Sequence, residues 1–274
     1  MPEQYAVAET PEKIKELVKE KYGEIAVKAG TPEQSSCCGP LCCGDVEYSV
    51  FADDYTKLEG YNPDADLGLG CGVPTEFAKI EKGQTVVDLG SGAGNDAFVV
   101  RSIVGETGKV IGVDMTGAMV EKARQNNAKL GYKNVEFVLG EIESLPLPAN
   151  SVDVVISNCV LNLVPDKSKA YSEIHRVLKP GAHFSISDVV TSGELPEKIR
   201  TAAEMYAGCV AGATQKQAYL DIIAKTGFKN VTVVKEKQVT VPDETLLQYL
   251  SEAELAEFKK SGSGIYSITV YGEK

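Results

Sequence analysis

From Gln84 to Asp188 short runs rich in valine and isoleucine alternate with stretches of helical spacing: TVVDL, KVIGVD, VEFVLG, VDVVISN and AHFSISDVV, with helical sequence between most of them. Near-continuous apolar runs suit strands that are buried on both faces. Intervening helices supply the long crossover that parallel pairing needs. The pattern therefore predicts an α/β fold, a mostly parallel sheet with helices on both faces. Two later runs, FKNVTVVKE and GIYSITVYG, bring the expected strand count to seven.

Around this core the chain divides into three parts. Residues 1–72 read as an N-terminal helical and cysteine-loop cap, 73–190 as the ligand-binding core, and 191–274 as a C-terminal cover that completes the sheet. In the cap, Thr10 stands as an N-cap before Pro11, and Ile14, Leu17, Val18 and Ile25 recur at helical spacing up to a stop at Gly30. The cover holds helical stretches near 196–207 and 214–225 and a third in DETLLQYLSEAELAEFKK.

At 274 residues the chain is long enough to bury a sizeable core, and its 43% hydrophobic and 24% charged residues are those of a globular protein. A net charge of -11 argues against a nucleic-acid backbone or an anionic membrane as partner. No run reaches the roughly 20 apolar residues that span a bilayer, and MPEQYAVAETPEK lacks the basic and apolar regions of a secretory signal. The expected location is the cytoplasm, where thiols stay reduced.

VVDLGSGAGND places Gly90, Gly92 and Gly94 between a strand and a helix, where a tight turn needs unusual backbone angles and a ligand must approach the main chain closely. Asp114 ends the next strand, and a carboxylate there can accept hydrogen bonds from both hydroxyls of a ribose. The third glycine comes one residue too early for the dinucleotide fingerprint, and Asn95 and Asp96 follow it.

From about Gly83 to Asp188 the chain resembles the class I S-adenosylmethionine-dependent methyltransferases, through VVDLGSGAGND, Asp114, FVLGEIESLP and HRVLKPGA. The resemblance implies a Rossmann-like fold with S-adenosylmethionine as cofactor. It implies that Gly90, Ser91, Gly92 and Asn95 lie beside the methionine part, that Asp114 binds the ribose, and that Glu141 and Ile142 read the adenine, with Met115 over one of its faces. Asp88 orients the loop. His175, on a helix, and His183, opening a strand, read as surface or packing residues, so no general base is expected.

Seven cysteines remain to be explained, and SSCCGPLCCGDV packs four of them, Cys37, Cys38, Cys42 and Cys43, into one loop. Zinc is one reading, although the clump lacks a CxxC pair and adjacent cysteines do not readily share one tetrahedral ion. Buried, inert thiols are another. Cys159 falls just past the end of VDVVISN, and ligands of open α/β sheets bind at such strand ends.

Taken together, Cys71 in GLGCGVP, Cys159 in SNCVLNLVPDK, Cys209 and the N-terminal clump resemble the arsenite methyltransferase branch of the class I methyltransferases. The resemblance implies that arsenite and methylated arsenicals are substrates, with trivalent arsenic held by Cys159, Cys209 and either Cys71 or an external thiol. It also implies a disulfide between Cys43 and Cys71 that returns arsenic to the trivalent state, Cys42 being the other candidate for the first position. A small thiol or a thioredoxin-like protein would then be the reductant. Arsenic(III) is soft and prefers thiolates, which fits a site of sulfur without a base. Methylation of a small organic substrate and thiol-based metal sensing are the competing readings.

Overall fold

The computed structural model describes residues 10–28, 53–193, 212–239 and 243–274. Its sheet runs in the order β3-β2-β1-β4-β5-β8-β7, with strands β1 (Thr85–Leu89), β2 (Lys109–Asp114), β3 (Val135–Leu139), β4 (Val152–Asn158), β5 (Leu178–Ser192), β7 (Lys229–Val239) and β8 (Gly264–Glu273). A two-residue strand, β6 (Thr214–Gln215), pairs with β5 beside this series. The first five strands pair in parallel, and β8 is antiparallel to both β5 and β7. The expected seven-strand architecture is present, with β6 in addition.

Alternation along the strands builds two cores. Val86, Val110 and Val154 sit side by side and pack with Phe98 of helix α2 (Asn95–Val104) and Ala123 of α3 (Gly117–Leu130). Their neighbours Val87, Ile111 and Val155 point the other way, to Tyr171 and Ile174 of α4 (Lys167–Val177) and Ile223 of α5 (Lys216–Lys225). Each such side chain, fully buried, contributes roughly 1.5–3 kcal/mol. A third cluster, away from these faces, joins Val18, Cys71, Cys159 and Val189 to Leu246 of α6 (Asp243–Leu246) and Leu255 of α7 (Glu252–Lys260).

Helix α1 (Pro11–Lys28) begins as the sequence predicts, with the Lys13 N–H donating to Thr10 Oγ1 at 3.3 Å. It packs against α3 and against the 3-10 turn Leu161–Leu163 that follows β4. The expected stop at Gly30 and the helix near 196–207 lie outside the described residues. The helical stretch DETLLQYLSEAELAEFKK is interrupted: Ser251 caps a new helix, and its hydroxyl accepts from the Glu254 N–H. HRVLKPGA runs from the last turn of α4 directly into β5, and the register against β4 shifts where it does so. Among the described residues no helix is long and apolar enough to cross a membrane.

β1 pairs with β2 on one side and β4 on the other, so the chain leaves β1 in opposite directions for its two halves. Such a reversal opens a crevice at the carboxyl ends of the strands.

Candidate functional site

A cavity occupies that crevice. The glycine loop, the end of β2 at Asp114 and Met115, the stretch from Glu141 to Glu143, and Asn158 to Val160 at the end of β4 all line it. Ala65 to Gly70, Leu163 to Pro165, Tyr55 and three residues of α1, Lys15, Val18 and Tyr22, also line it.

The glycine loop is tied to β2. The Gly90 and Ser91 N–H groups donate to the Val113 carbonyl at 2.7 and 3.2 Å, and the Gly92 N–H donates to Asp114 Oδ2 at 3.0 Å. Gly90 and Gly92 have φ of 69° and 50°, left-handed values that favour glycine. A Cβ at Gly90 would fall 2.3 Å from Val160 Cγ2, whereas one at Gly92 would meet nothing within 4 Å. Gly90 therefore permits packing, and Gly92 leaves the main chain open to the cavity.

Asp114 Oδ1 accepts the Thr116 N–H at 2.8 Å. Burial raises the Asp114 pKa, against the pull of hydrogen bonds from the Thr116 and Gly92 main chain. Asp88 lies deeper; burial, with the charges of Asp96 and Asp114, pushes its carboxyl well above the usual range. Asp88 Oδ2, Ser91 Oγ and Asn95 Oδ1 are buried with no hydrogen-bond partner, and all three residues line the cavity. Buried polar atoms without partners are rare in native proteins. Three together, at one end of a cavity, suit a ligand rich in N–H donors.

At the other end, Glu141 meets α1. Lys15 Nζ lies 2.9 Å from Glu141 Oε2 and also pairs with Glu143, and Lys19 Nζ lies 3.1 Å from Glu141 Oε1. The hydrogen bonds from Lys15 and Lys19 hold the Glu141 carboxyl below its ordinary pKa. Lys15, Val18, Lys19 and Tyr22 follow helical spacing, so one stripe of α1 closes this side. Ile142 is buried beside Glu141. Met115 lines the cavity and packs on the cluster that contains Cys71 and Cys159.

Cys159 is buried at the carboxyl end of β4 and lines the cavity. Its φ of 60° turns the chain out of the strand, and its N–H donates to the Ser187 carbonyl at 2.8 Å. Cys71 is buried in the same cluster, its carbonyl accepting from Ser267 Oγ. Between them stands Asn158. Its Oδ1 accepts the Cys71 N–H at 3.0 Å, and its Nδ2 faces the Gly72 carbonyl and the Tyr55 hydroxyl, each at 2.8 Å, and Asp96 Oδ2 at 3.1 Å. Tyr55 donates to Asp96 Oδ1 at 2.8 Å. Burial raises the Asp96 pKa to about 6, although the bonds from Asn158 and Tyr55 pull it down. Cys37, Cys38, Cys42, Cys43 and Cys209 lie outside the described residues.

The structure thus gathers Gly90, Ser91, Gly92, Asn95, Asp114, Met115, Glu141, Ile142 and Cys159 around one cavity and sets Cys71 beside it. His175 stacks edge-on against Phe228, and His183 Nε2 lies 2.6 Å from the Ala78 carbonyl; neither lines the cavity. Sequence reasoning missed Asn158, Tyr55, Lys15 and Lys19. Asn158 left a faint signal, a polar side chain closing an apolar strand. The lysines left none, since the polar face of a helix reads as solvated.

The chain resembles known proteins in sequence and in fold. The model of a methyltransferase domain family matches residues 80–227. An arsenite methyltransferase of Halobacterium salinarum is 40% identical over 92% of this chain and 66% of its own length. One from Aquipseudomonas alcaligenes is 32% identical over 87% of this chain and 68% of its own length. Against both, the chain spans about two thirds of the relative. Among solved structures, an arsenic(III) S-adenosylmethionine methyltransferase from Chlamydomonas reinhardtii superposes with a TM-score of 0.64 at 35% identity, covering 82% of this chain and 73% of the other.

Proposed function

The chain belongs to the arsenite methyltransferase family of the class I methyltransferases, and from that premise we propose that it methylates trivalent arsenic with S-adenosylmethionine, holding the metalloid on cysteine thiolates. The observation that carries the reading is Cys159, buried at the end of β4 and lining the same cavity as the glycine loop and Asp114. A thiol at that position faces the reacting end of whatever the loop and Asp114 hold.

The residues present fit the cofactor. The partnerless oxygens of Asp88, Ser91 and Asn95 suit the ammonium of its methionine part, Asp114 its ribose hydroxyls, and Glu141, Ile142 and Met115 would hold the adenine. When bound, S-adenosylmethionine supplies a methyl group on a sulfonium sulfur, which keeps the C–S bonding pair as the arsenic lone pair takes the carbon.

Thiolates from Cys159 and Cys209, with Cys71 or an external thiol as third ligand, leave that lone pair free and fix its direction. Orientation of this kind supplies much of a rate enhancement, and no proton has to leave in the transfer, consistent with a cavity that neither histidine lines. Arsenic is formally oxidised by two electrons. Cys43 and Cys71 return them by closing a disulfide, and an external dithiol or thioredoxin-like protein reopens it. Cys42 is the alternative partner of Cys71, and a reducing compartment such as the cytoplasm keeps the set ready.

The test uses purified protein with arsenite, a thiol and methyl-labelled cofactor. Label is expected in methylated arsenicals, and Cys159→Ser and Cys209→Ser are each expected to lower the rate by at least about a hundredfold. Label appearing in an organic acceptor with both substitutions silent would overturn the reading. Tight arsenite binding without any methyl transfer would turn it toward a sensor.

A further inference from the structure

We propose that Asn158 is a positioning residue that sets the Cys71 thiol in place beside Cys159; its consequence for catalysis rests on the arsenical reading above. One side-chain amide makes the contacts that carry this role. Oδ1 takes the Cys71 N–H and Nδ2 faces the Gly72 carbonyl, so the amide pairs with the main chain of residues 71–72 as a neighbouring strand would. The next residue along the chain from Asn158 is Cys159. A single asparagine therefore links, through its side chain and its own peptide bond, two thiols separated by most of the core sequence.

The rest of the surroundings hold that amide still. Its second N–H is contested by Tyr55 and Asp96, which are hydrogen-bonded to each other, and this orients the flip so that oxygen faces Cys71. On the far side the Cys71 carbonyl is taken by Ser267, so the residue is held at both its N–H and its carbonyl. Gly70 allows the approach: a Cβ there would lie 2.6 Å from Asn158 Nδ2. Gly72 allows it on the other side, where a Cβ would meet Ser187 Oγ at 2.7 Å. The main chain on either side of Cys71 is thus glycine because it lies directly on the side chains of Asn158 and of Ser187, its register partner in β5.

Fixing the main chain at Cys71 limits its sulfur to a few rotamers, all inside a buried cluster that also holds Cys159. A soft ion bound by both thiolates, or a disulfide exchange that passes through Cys71, needs the two sulfurs at a fixed separation. Errors of the order of 1 Å in such a site cost about a hundredfold in rate. Asn158 touches neither reacting atom in this scheme and acts through Cys71.

Asn158→Ala and Gly70→Ala test it by two readouts. The first needs no substrate: iodoacetamide labelling of Cys71, followed by peptide mass spectrometry, should speed up about tenfold in both variants as the segment loosens. The second is a split in steady-state constants, with KM for arsenite rising about tenfold while the Kd for S-adenosylmethionine stays within about threefold. Should Asn158→Ala fail to fold, Gly70→Ala displaces the same amide by one methyl group and carries both readouts. Cys71 labelling unchanged within about twofold, or cofactor affinity lost in step with arsenite affinity, would overturn the assignment. If the unaltered protein methylates no arsenite, the functional reading falls and labelling alone decides the role of Asn158.

Discussion

Lys15 Nζ sits 2.9 Å from Glu141 Oε2, which joins α1 to the rim of the cavity at the position expected to read the adenine. Lys19 takes the other oxygen of the same carboxylate. Both ammonium groups keep contact with water, so the latch is weak and screened by salt. Dissociation of S-adenosylmethionine is therefore expected to speed up severalfold between low and high ionic strength. A Lys15→Met, Lys19→Met protein should start fast and show little salt dependence, as read by stopped-flow displacement. Identical salt profiles for the two proteins would separate α1 from cofactor exchange.

The glycine loop allows a sharper distinction. Gly90→Ala brings a methyl group onto Val160 at a left-handed position, so it should lower the melting temperature of the protein without ligand and abolish cofactor binding. Gly92→Ala meets no atom and carries only the left-handed cost of about 1–2 kcal/mol. It should melt within a few degrees of the parent yet bind the cofactor at least about tenfold more weakly, because its methyl group enters the open side of the loop. Calorimetric titration and thermal melts on both variants check the contrast.

Asp188 makes stability depend on pH. Burial raises its pKa to about 7, against the nearby Lys167 and hydrogen bonds from the Val189 and Asn162 main chain and the Tyr219 hydroxyl. The folded protein then binds a proton that the unfolded chain, with a pKa near 3.8, has released. Stability falls as pH rises from about 4 to 7, by up to about 1.4 kcal/mol per pH unit for this proton. Asp96, raised to about 6, adds a drift of the same sign. Denaturant titrations from pH 5 to 8 should show Asp188→Asn with the shallower decline; equal slopes would contradict the assignment.

Tyr171 donates to the Tyr219 hydroxyl at 2.7 Å, and Tyr219 donates to Asp188 Oδ2 at 3.1 Å, a relay that runs from α4 through α5 to β5. Its two tyrosines are unequal. Tyr219→Phe leaves both a buried hydroxyl and the Asp188 oxygen without their partners, while Tyr171→Phe only removes a donor from a hydroxyl that still reaches Asp188. The first should cost about 2–3 kcal/mol and the second about 1 kcal/mol. Urea unfolding of the two variants gives the order directly.

Much of this protein was legible in its sequence because the information is local. Apolar runs of β-branched residues broken by helical spacing define β1 to β5, and alternate burial of Val86 and Val87 follows from a two-residue period. The turn at Gly90 and Gly92 and the carboxylate at Asp114 are likewise set by backbone angles and by the ends of adjacent strands. Cys159 could be placed at a ligand-facing strand end for the same reason.

Tertiary structure alone decided the rest. Asn158 and Cys71 are 87 positions apart, and Lys15 and Glu141 are 126. No periodicity links such pairs, because the meeting of two side chains depends on the path of the segments between them and not on their own neighbours. The lysines of α1 look like any solvated helix face until the helix lies across the cavity, and Asn158 looks like a strand's polar end until residues 70–72 thread past it. Local pattern sets most of the elements and the chemistry they carry. Long-range packing determined which carboxylate is latched, which amide is gripped and which thiol stands beside which.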